Sequence, residues 1–193
     1  MHLTLYLIII VVLSLLGSLS ISLILETNFL LVLGVMWLGI IIVIIIDGLS
    51  AGLCRMLPKK VANYNYKIYK VNKKEKKLLD KLQIKKWKDK IPEIGHFTGF
   101  RKNKIYEPKN PIYIERFLYE ICYGELGHFI SIFTGFLLVL IPWFKDFWIA
   151  TSLYIAIVNG ILNIFPIMVL RYNSYSLLLI FNRLNRQNKI TNN

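Results

Sequence analysis

Two long apolar blocks, Leu3 to Ile46 and Leu126 to Leu170, dominate the sequence and limit the folds open to it. A helix needs about 20 apolar residues to cross a bilayer, so each block is long enough for two crossings. Polar residues interrupt the blocks at Glu26 to Asn28 and at Lys145 to Asp146. The pattern predicts an all-α integral membrane protein with four helices arranged as two transmembrane hairpins.

A strongly basic segment separates the two blocks. Of the 24 lysines and arginines, 19 lie between Arg55 and Arg116, 4 follow Leu170, and Lys145 is the remaining one. Because cytoplasmic loops carry the excess of Lys and Arg, we expect a cell-membrane protein whose termini and basic segment are all cytoplasmic. The single membrane domain, 1–193, would comprise a first hairpin (1–57), the basic segment (58–124), and a second hairpin with an amphipathic tail (125–193).

The basic segment is better suited to an anionic membrane surface than to nucleic acid. It is joined at both ends to predicted membrane helices, so the net charge of +13 lies mainly beside lipid headgroups. Two groups of apolar residues at helical spacing predict short interfacial helices; they are Leu78, Leu79 and Leu82, and Ile84, Trp87 and Ile91. No nucleic-acid partner is expected, and the oligomeric state is left open.

Glu125 and His128 are the residues best placed for acid–base chemistry. A spacing of three puts them on one face of a helix that is otherwise apolar. A carboxylate beside a histidine fixes the ring tautomer and raises its basicity, which suits a general base acting on a hydroxyl. The alternative is that both lie at headgroup level and bond to backbone or lipid. His96, in a loop, is a second candidate acid or base.

The fourth predicted helix carries a polar stripe of Asn159 and Asn163, with Pro166 one turn further on. Such amides could bind sugar hydroxyls, but they also serve as hydrogen-bonding contacts between membrane helices. Arg171 and Asn173 follow where the helix would leave the membrane. They are interpreted either as a positive-inside anchor or as a clamp for an anion or carboxylate.

Several other site classes are not expected. Asp47-Gly48 resembles only the start of the acidic motif of alcohol phosphatidyltransferases, whose remaining aspartates are missing. One Glu-x-x-His is half of a di-iron site, and no Cys/His spacing typical of zinc occurs, so neither metal nor cofactor is predicted.

Three stretches together resemble one enzyme family. Lys85 to Pro92, followed by Gly95-His96, is similar to the Arg/Lys-Lys-Trp-Lys motif of the glycosyl-4,4'-diaponeurosporenoate acyltransferases. Glu125 to Phe129 resembles their Glu-Leu-x-His-Trp stretch, with Phe129 in place of the tryptophan. Asn163 to Asn173 resembles their Asn-x-Pro and Gln-Arg-Tyr-Asn-Arg motifs, although Leu170 and Ser174 depart from the pattern.

The resemblance implies an acyltransferase of the staphyloxanthin type, which esterifies a fatty acyl chain onto the 6-hydroxyl of a glucosyl carotenoid acid. Its partners would be two lipid substrates, an acyl donor and a glycosylated acceptor. In the resulting hypothesis His128, oriented by Glu125, deprotonates the sugar hydroxyl. The candidate substrate-binding residues are Lys86, Lys88 and Arg171 for the oxyanion, Trp87 for the sugar face, Asn159 and Asn163 for the acceptor, and Asn173.

Two alternatives stay open at this point. The enzyme could acylate another membrane glycolipid. The chain could instead be a non-enzymatic membrane scaffold that binds anionic lipid through its lysines, in which case its function would not depend on His128.

Overall fold

The computed structural model describes residues 2–91, 100, 104–141 and 146–191, and the regular structure in these ranges is helical. The α-helices are α1 (His2–Ile24), α2 (Phe29–Met56), α3 (Lys73–Lys81), α4 (Ile84–Trp87), α5 (Pro111–Thr134) and α6 (Asp146–Thr191). Two 3-10 helices follow α4 and α5, at Lys88–Lys90 and Gly135–Leu140. The predicted all-α fold class is confirmed.

Four helical segments of the described chain are long and apolar enough to cross a membrane: Thr4–Ile24, Phe29–Met56, Pro111–Leu140 and Phe147–Ile190. Their number agrees with the four predicted crossings. Their outer surfaces carry many exposed leucines and isoleucines, such as Leu23 and Leu30, at 71% and 72% exposure. An exposed apolar surface of this extent is typical of a face that contacts membrane lipid or another protein.

The helix boundaries follow from local residues. The predicted break between α1 and α2 is present, with Glu26 in the left-handed region at φ 50° and Asn28 accepting a hydrogen bond from the Leu31 N–H at 3.1 Å. Pro111 is the first residue of α5, as expected of a residue that has no N–H to satisfy. Of the second predicted break, Lys145 lies outside the described residues, and Asp146 begins α6.

Helix α6 is longer than one crossing. Its 46 residues extend roughly 70 Å at 1.5 Å per residue, whereas the hydrocarbon core of a bilayer is about 30 Å thick. The region after Leu170, predicted as a separate amphipathic tail, is therefore a continuation of the same helix. The composition changes from apolar to polar after Leu170, but the helix continues, because no glycine or proline follows Leu170 to end it.

The chain forms two compact units, each with its own core. The first unit comprises Met1–Leu53 and Gly127–Phe165. Its core includes Val32, Met36, Val43, Leu138, Trp148 and Ile155. The Trp148 indole N–H donates to the Leu138 carbonyl at 3.2 Å, and the Tyr154 hydroxyl donates to the Leu13 carbonyl at 2.8 Å.

The second unit comprises Cys54–Leu126 and Pro166–Asn193. Its larger core is rich in aromatic residues and includes Tyr64, Tyr69, Phe100, Phe117, Leu118 and Leu177. The Tyr64 hydroxyl donates to Glu115 at 2.9 Å, and burial together with this bond raises the pKa of Tyr64 above its usual range. A smaller core, formed by Val71, Leu79, Ile84 and Val169, packs the short helices α3 and α4 against α6.

Candidate functional site

A hydrogen-bonded polar cluster lies in the first unit. We call it the His128 cluster; its residues are Asp47 of α2, His128 and Thr134 of α5, and Asn159 and Asn163 of α6. Asn163 is at its centre and is 9% exposed. Its carbonyl oxygen Oδ1 lies 2.8 Å from Nδ1 of the His128 ring. The structure therefore brings together three of the predicted site residues, His128, Asn159 and Asn163.

The contacts of the Asn163 amide determine the tautomer of His128. Its nitrogen Nδ2 donates to the backbone carbonyl of Asn159 at 3.0 Å and to the Asn159 side-chain oxygen at 3.1 Å. Because the amide nitrogen faces these oxygens, Oδ1 is left to accept from the histidine, and Nδ1 must carry the proton. In the neutral ring the lone pair is then on Nε2, the atom that would act as a base.

Asp47, like Thr134, is a member of this cluster that was not among the predicted site residues. Its Oδ1 accepts a hydrogen bond from the Thr134 hydroxyl at 2.6 Å, and its Oδ2 lies 3.4 Å from Nδ2 of Asn163. The second contact is long for a hydrogen bond, but it places a carboxylate on the donor side of the amide. The available signal was simple: Asp47 is an ionisable residue inside an apolar membrane helix.

Asn159 also links two helices of the first unit. Its Nδ2 donates to the Ser131 carbonyl of α5 at 2.9 Å. Hydrogen bonding between membrane helices of this kind is the alternative role predicted for the asparagine stripe. The Asn159 side chain also accepts a hydrogen bond from Asn163, so this residue both joins α5 to α6 and positions Asn163 in the His128 cluster.

A second polar cluster lies in the second unit. We call it the Arg171 cluster; it consists of Glu75, Glu125 and Arg171. The guanidinium binds Glu75 through Nε and Nη2, the latter at 2.9 Å, and Nη1 donates to Glu125 Oε2 and to the Ile68 carbonyl, both at 2.9 Å. All three guanidinium nitrogens are thus engaged. This forked geometry is the strongest form of arginine–carboxylate pairing.

Glu125 is 5% exposed, and no described residue donates a hydrogen bond to its second oxygen, Oε1. A buried carboxylate needs a charged partner, and Arg171 supplies it. Glu125 and His128 both lie in the helix α5. The contacts nevertheless pair Glu125 with Arg171 and His128 with Asn163. That Glu125 orients His128 stays a prediction.

The predicted substrate-binding residues of the basic motif differ in their environments. Lys86 is exposed, whereas Trp87 is partly buried against the smaller core, with its indole N–H donating to the Leu82 carbonyl at 3.0 Å. Lys88 approaches the Asn173 side-chain oxygen at 3.4 Å. Part of the Trp87 ring therefore packs against this core. His96 lies outside the described residues.

The described residues contain no group of three His, Cys, Asp or Glu side chains arranged to hold a metal ion. The two clusters contain an imidazole, two amides, three carboxylates, a hydroxyl and a guanidinium. Among these groups the imidazole is the one whose side-chain type most often serves as a general base.

Comparison with known families identifies the chain. The family model described as glycosyl-4,4'-diaponeurosporenoate acyltransferase matches residues 63–183, which is more than half of the chain. The match includes His128, Asn163 and the Arg171 cluster, whereas Asp47 precedes it. Comparisons with curated proteins and with solved structures find no match. The chain therefore belongs to the glycosyl-4,4'-diaponeurosporenoate acyltransferase family, as its motifs predicted, and is an acyltransferase.

Proposed function

We propose that this protein transfers a fatty acyl chain to the 6-hydroxyl of the glucose carried by a glucosyl carotenoid acid, the last step of a staphyloxanthin-type synthesis. Family membership supports the reaction class. The single observation that carries the mechanism is the 2.8 Å hydrogen bond between His128 Nδ1 and Asn163 Oδ1. It orients an imidazole whose Nε2 is the basic atom.

In this mechanism Nε2 of His128 removes the proton of the sugar hydroxyl as the hydroxyl oxygen attacks the acyl carbonyl. The tetrahedral intermediate then collapses, the bond from the acyl carbon to its carrier breaks, and the imidazolium returns the proton to the departing group. Asn163 Oδ1 accepts from Nδ1 throughout. The carboxylate of Asp47 belongs to the same cluster and lies 3.4 Å from the other end of this amide, at Asn163 Nδ2.

Lys86 and Lys88 stay our candidates for donors to the oxyanion. Arg171 is less suited to that role, because its guanidinium already donates to Glu75, Glu125 and the Ile68 carbonyl. We assign Arg171 instead to holding α3, α5 and α6 together within the second unit. Asn173 stays a predicted contact for the acceptor.

We also propose that the protein is a multi-pass cell-membrane protein with both termini and the basic segment on the cytoplasmic side. Four apolar helices and the concentration of lysines and arginines between Arg55 and Arg116 support this orientation. Both substrates are lipids, an acyl donor and a glycosylated acceptor. A membrane-embedded enzyme reaches such molecules without extracting them into water.

Lipid mass spectrometry tests the proposal. Membranes of a host that makes the glucosyl carotenoid acid would be compared with and without this chain, and with His128→Ala, Asn163→Leu and Phe129→Leu. Phe129 is adjacent to His128 and 55% exposed, so its variant controls for expression and membrane insertion. We expect a product heavier by one acyl group from the parent and from Phe129→Leu, with losses of about 100-fold or more for His128→Ala.

The outcomes separate the alternatives. Normal acylation by inserted His128→Ala would refute the assignment of the base. Detection of an acylated glycolipid other than the carotenoid would support acyl transfer as the reaction and would identify a different acceptor. If the parent chain left every lipid unchanged while membranes still bound it, the scaffold hypothesis would replace the enzyme.

A further inference from the structure

One side of α3 is fixed against the rest of the second unit. Leu79 is 4% exposed and belongs to the smaller core with Val71, Ile84 and Val169. Asn72 caps the helix by accepting a hydrogen bond from the Glu75 N–H at 2.9 Å. Glu75 itself is held by Arg171, and the Lys76 ammonium lies 3.9 Å from the centre of the Tyr172 ring. These contacts leave α3 little freedom to rotate about its axis.

The opposite side of α3 combines lysines with exposed leucines. Lys74, Lys77 and Lys81 are exposed, as are Leu78 at 55% and, at the C-cap of the helix, Leu82 at 46%. Residues three or four positions apart are neighbours on a helix surface, so these five form one continuous face. We call it the Leu78 face. The exposed leucines of the long apolar helices can be covered by lipid where those helices cross a bilayer. A nine-residue helix such as α3 is too short to cross, so its exposed leucines need another apolar environment.

The positive charge of the Leu78 face is not compensated by the acidic residues of its own helix. Glu75 is paired with Arg171, and Asp80 is paired with Lys76 one turn earlier. Between Lys59 and Lys90 the sequence contains 13 lysines and three acidic residues. The face therefore presents a cationic stripe with an apolar edge.

We propose that the Leu78 face docks on the headgroup layer of an anionic lipid bilayer, with Leu78 and Leu82 inserted beside the headgroups. Lysine ammonium groups bind lipid phosphates, and the leucines require an apolar layer just below them; a bilayer surface supplies both at the required depth. A free polyanion would satisfy only the lysines. This inference is independent of the proposed reaction, since it uses none of the residues assigned to catalysis.

Site-specific fluorescence in nanodiscs tests the docking. The full chain would carry an environment-sensitive NBD label on Leu78→Cys or, as the matched control, on Asp80→Cys. Asp80 lies two residues away, about 200° around the helix axis, and its side chain is 52% exposed. Cys54 and Cys122 are buried, so the unsubstituted chain gives the labelling background. Spin-labelled lipids quench a label that enters the bilayer.

In discs that contain phosphatidylglycerol we expect blue-shifted emission and lipid quenching at position 78 but not at position 80. In discs of phosphatidylcholine alone the quenching at 78 should fall. Changing Lys74, Lys77 and Lys81 to Gln should lower the docking equilibrium constant about fivefold per lysine. Circular dichroism establishes that these variants keep their helices.

Three results would overturn the proposal. Equal quenching at the two positions would show that α3 does not present the Leu78 face to lipid. Quenching at position 78 that is equally strong with and without anionic lipid would show that the lysines do not contribute to docking. If the emission of the label at position 78 shifted to the blue only when an acidic acyl-carrier protein was added, the face would be assigned to a protein partner. Acylation assays on the same preparations show separately whether the enzyme is active.

Discussion

Replacing Arg171 by Ala should destabilise the second unit by about 3–5 kcal/mol, the cost typical of removing one partner of a buried ion pair. Arg171 donates four hydrogen bonds to two carboxylates and one backbone carbonyl. The side chains of Arg171, Glu75 and Glu125 are only 20%, 25% and 6% exposed. Water can therefore resolvate Glu75 when the arginine is removed, but hardly Glu125.

The buried charge of Glu125 accounts for most of this cost, and a second substitution isolates it. In the Arg171→Ala background, Glu125→Gln removes the uncompensated charge while keeping the size of the side chain. We expect it to recover part of the lost stability, about 1–3 kcal/mol, because burying a neutral amide costs less than burying an unpaired carboxylate. In the parent background, Glu125→Gln should destabilise the second unit, because Arg171 then loses its ion pair with the carboxylate at position 125.

The assay is the free energy of unfolding in mixed detergent micelles, followed by tryptophan fluorescence. A matched control is Arg55→Ala, whose Nε lies 3.6 Å from Glu120 Oε2 and whose side chain is 38% exposed. Such a pair contributes about 0–1 kcal/mol. If Arg171→Ala cost no more than Arg55→Ala, and Glu125→Gln recovered nothing, the stabilising role would be refuted and a substrate role for Arg171 would be favoured.

The remaining predictions concern helix packing and orientation. A Cβ on Gly135 would lie 2.9 Å from the Ala156 Cα, so Gly135→Ala should cost about 1–3 kcal/mol in the same unfolding assay, whereas Gly34→Ala, with open space around it, should cost nothing. Equal effects of the two would contradict the close approach. A phosphatase fused after residue 193, on the proposed cytoplasmic side, should be inactive in cells. The same phosphatase inserted near Thr27, in the turn proposed to face outward, should be active, and the opposite pattern would refute cytoplasmic termini.

Local sequence patterns determined much of the architecture. The length of the apolar blocks predicted four helices, because spanning length depends on composition along one segment and not on its partners. Pro111 marked the start of α5, and the polar residues at 26–28 marked the turn before α2. The order of the family motifs gave the acyltransferase assignment. All of these are properties of residues close together in the chain.

Only the tertiary structure decided how the polar residues pair. Spacing associated Glu125 with His128, yet their described hydrogen bonds go to Arg171 and Asn163, which lie 46 and 35 residues further along the chain. Asp47 is visible in the sequence as an ionisable residue in an apolar helix, but its partner Asn163 is 116 residues away, so only the fold could reveal their contact. Helical periodicity specifies which side chains share a face. It does not specify which face of another helix they meet, and buried polar groups bind whichever partners packing brings within hydrogen-bond distance.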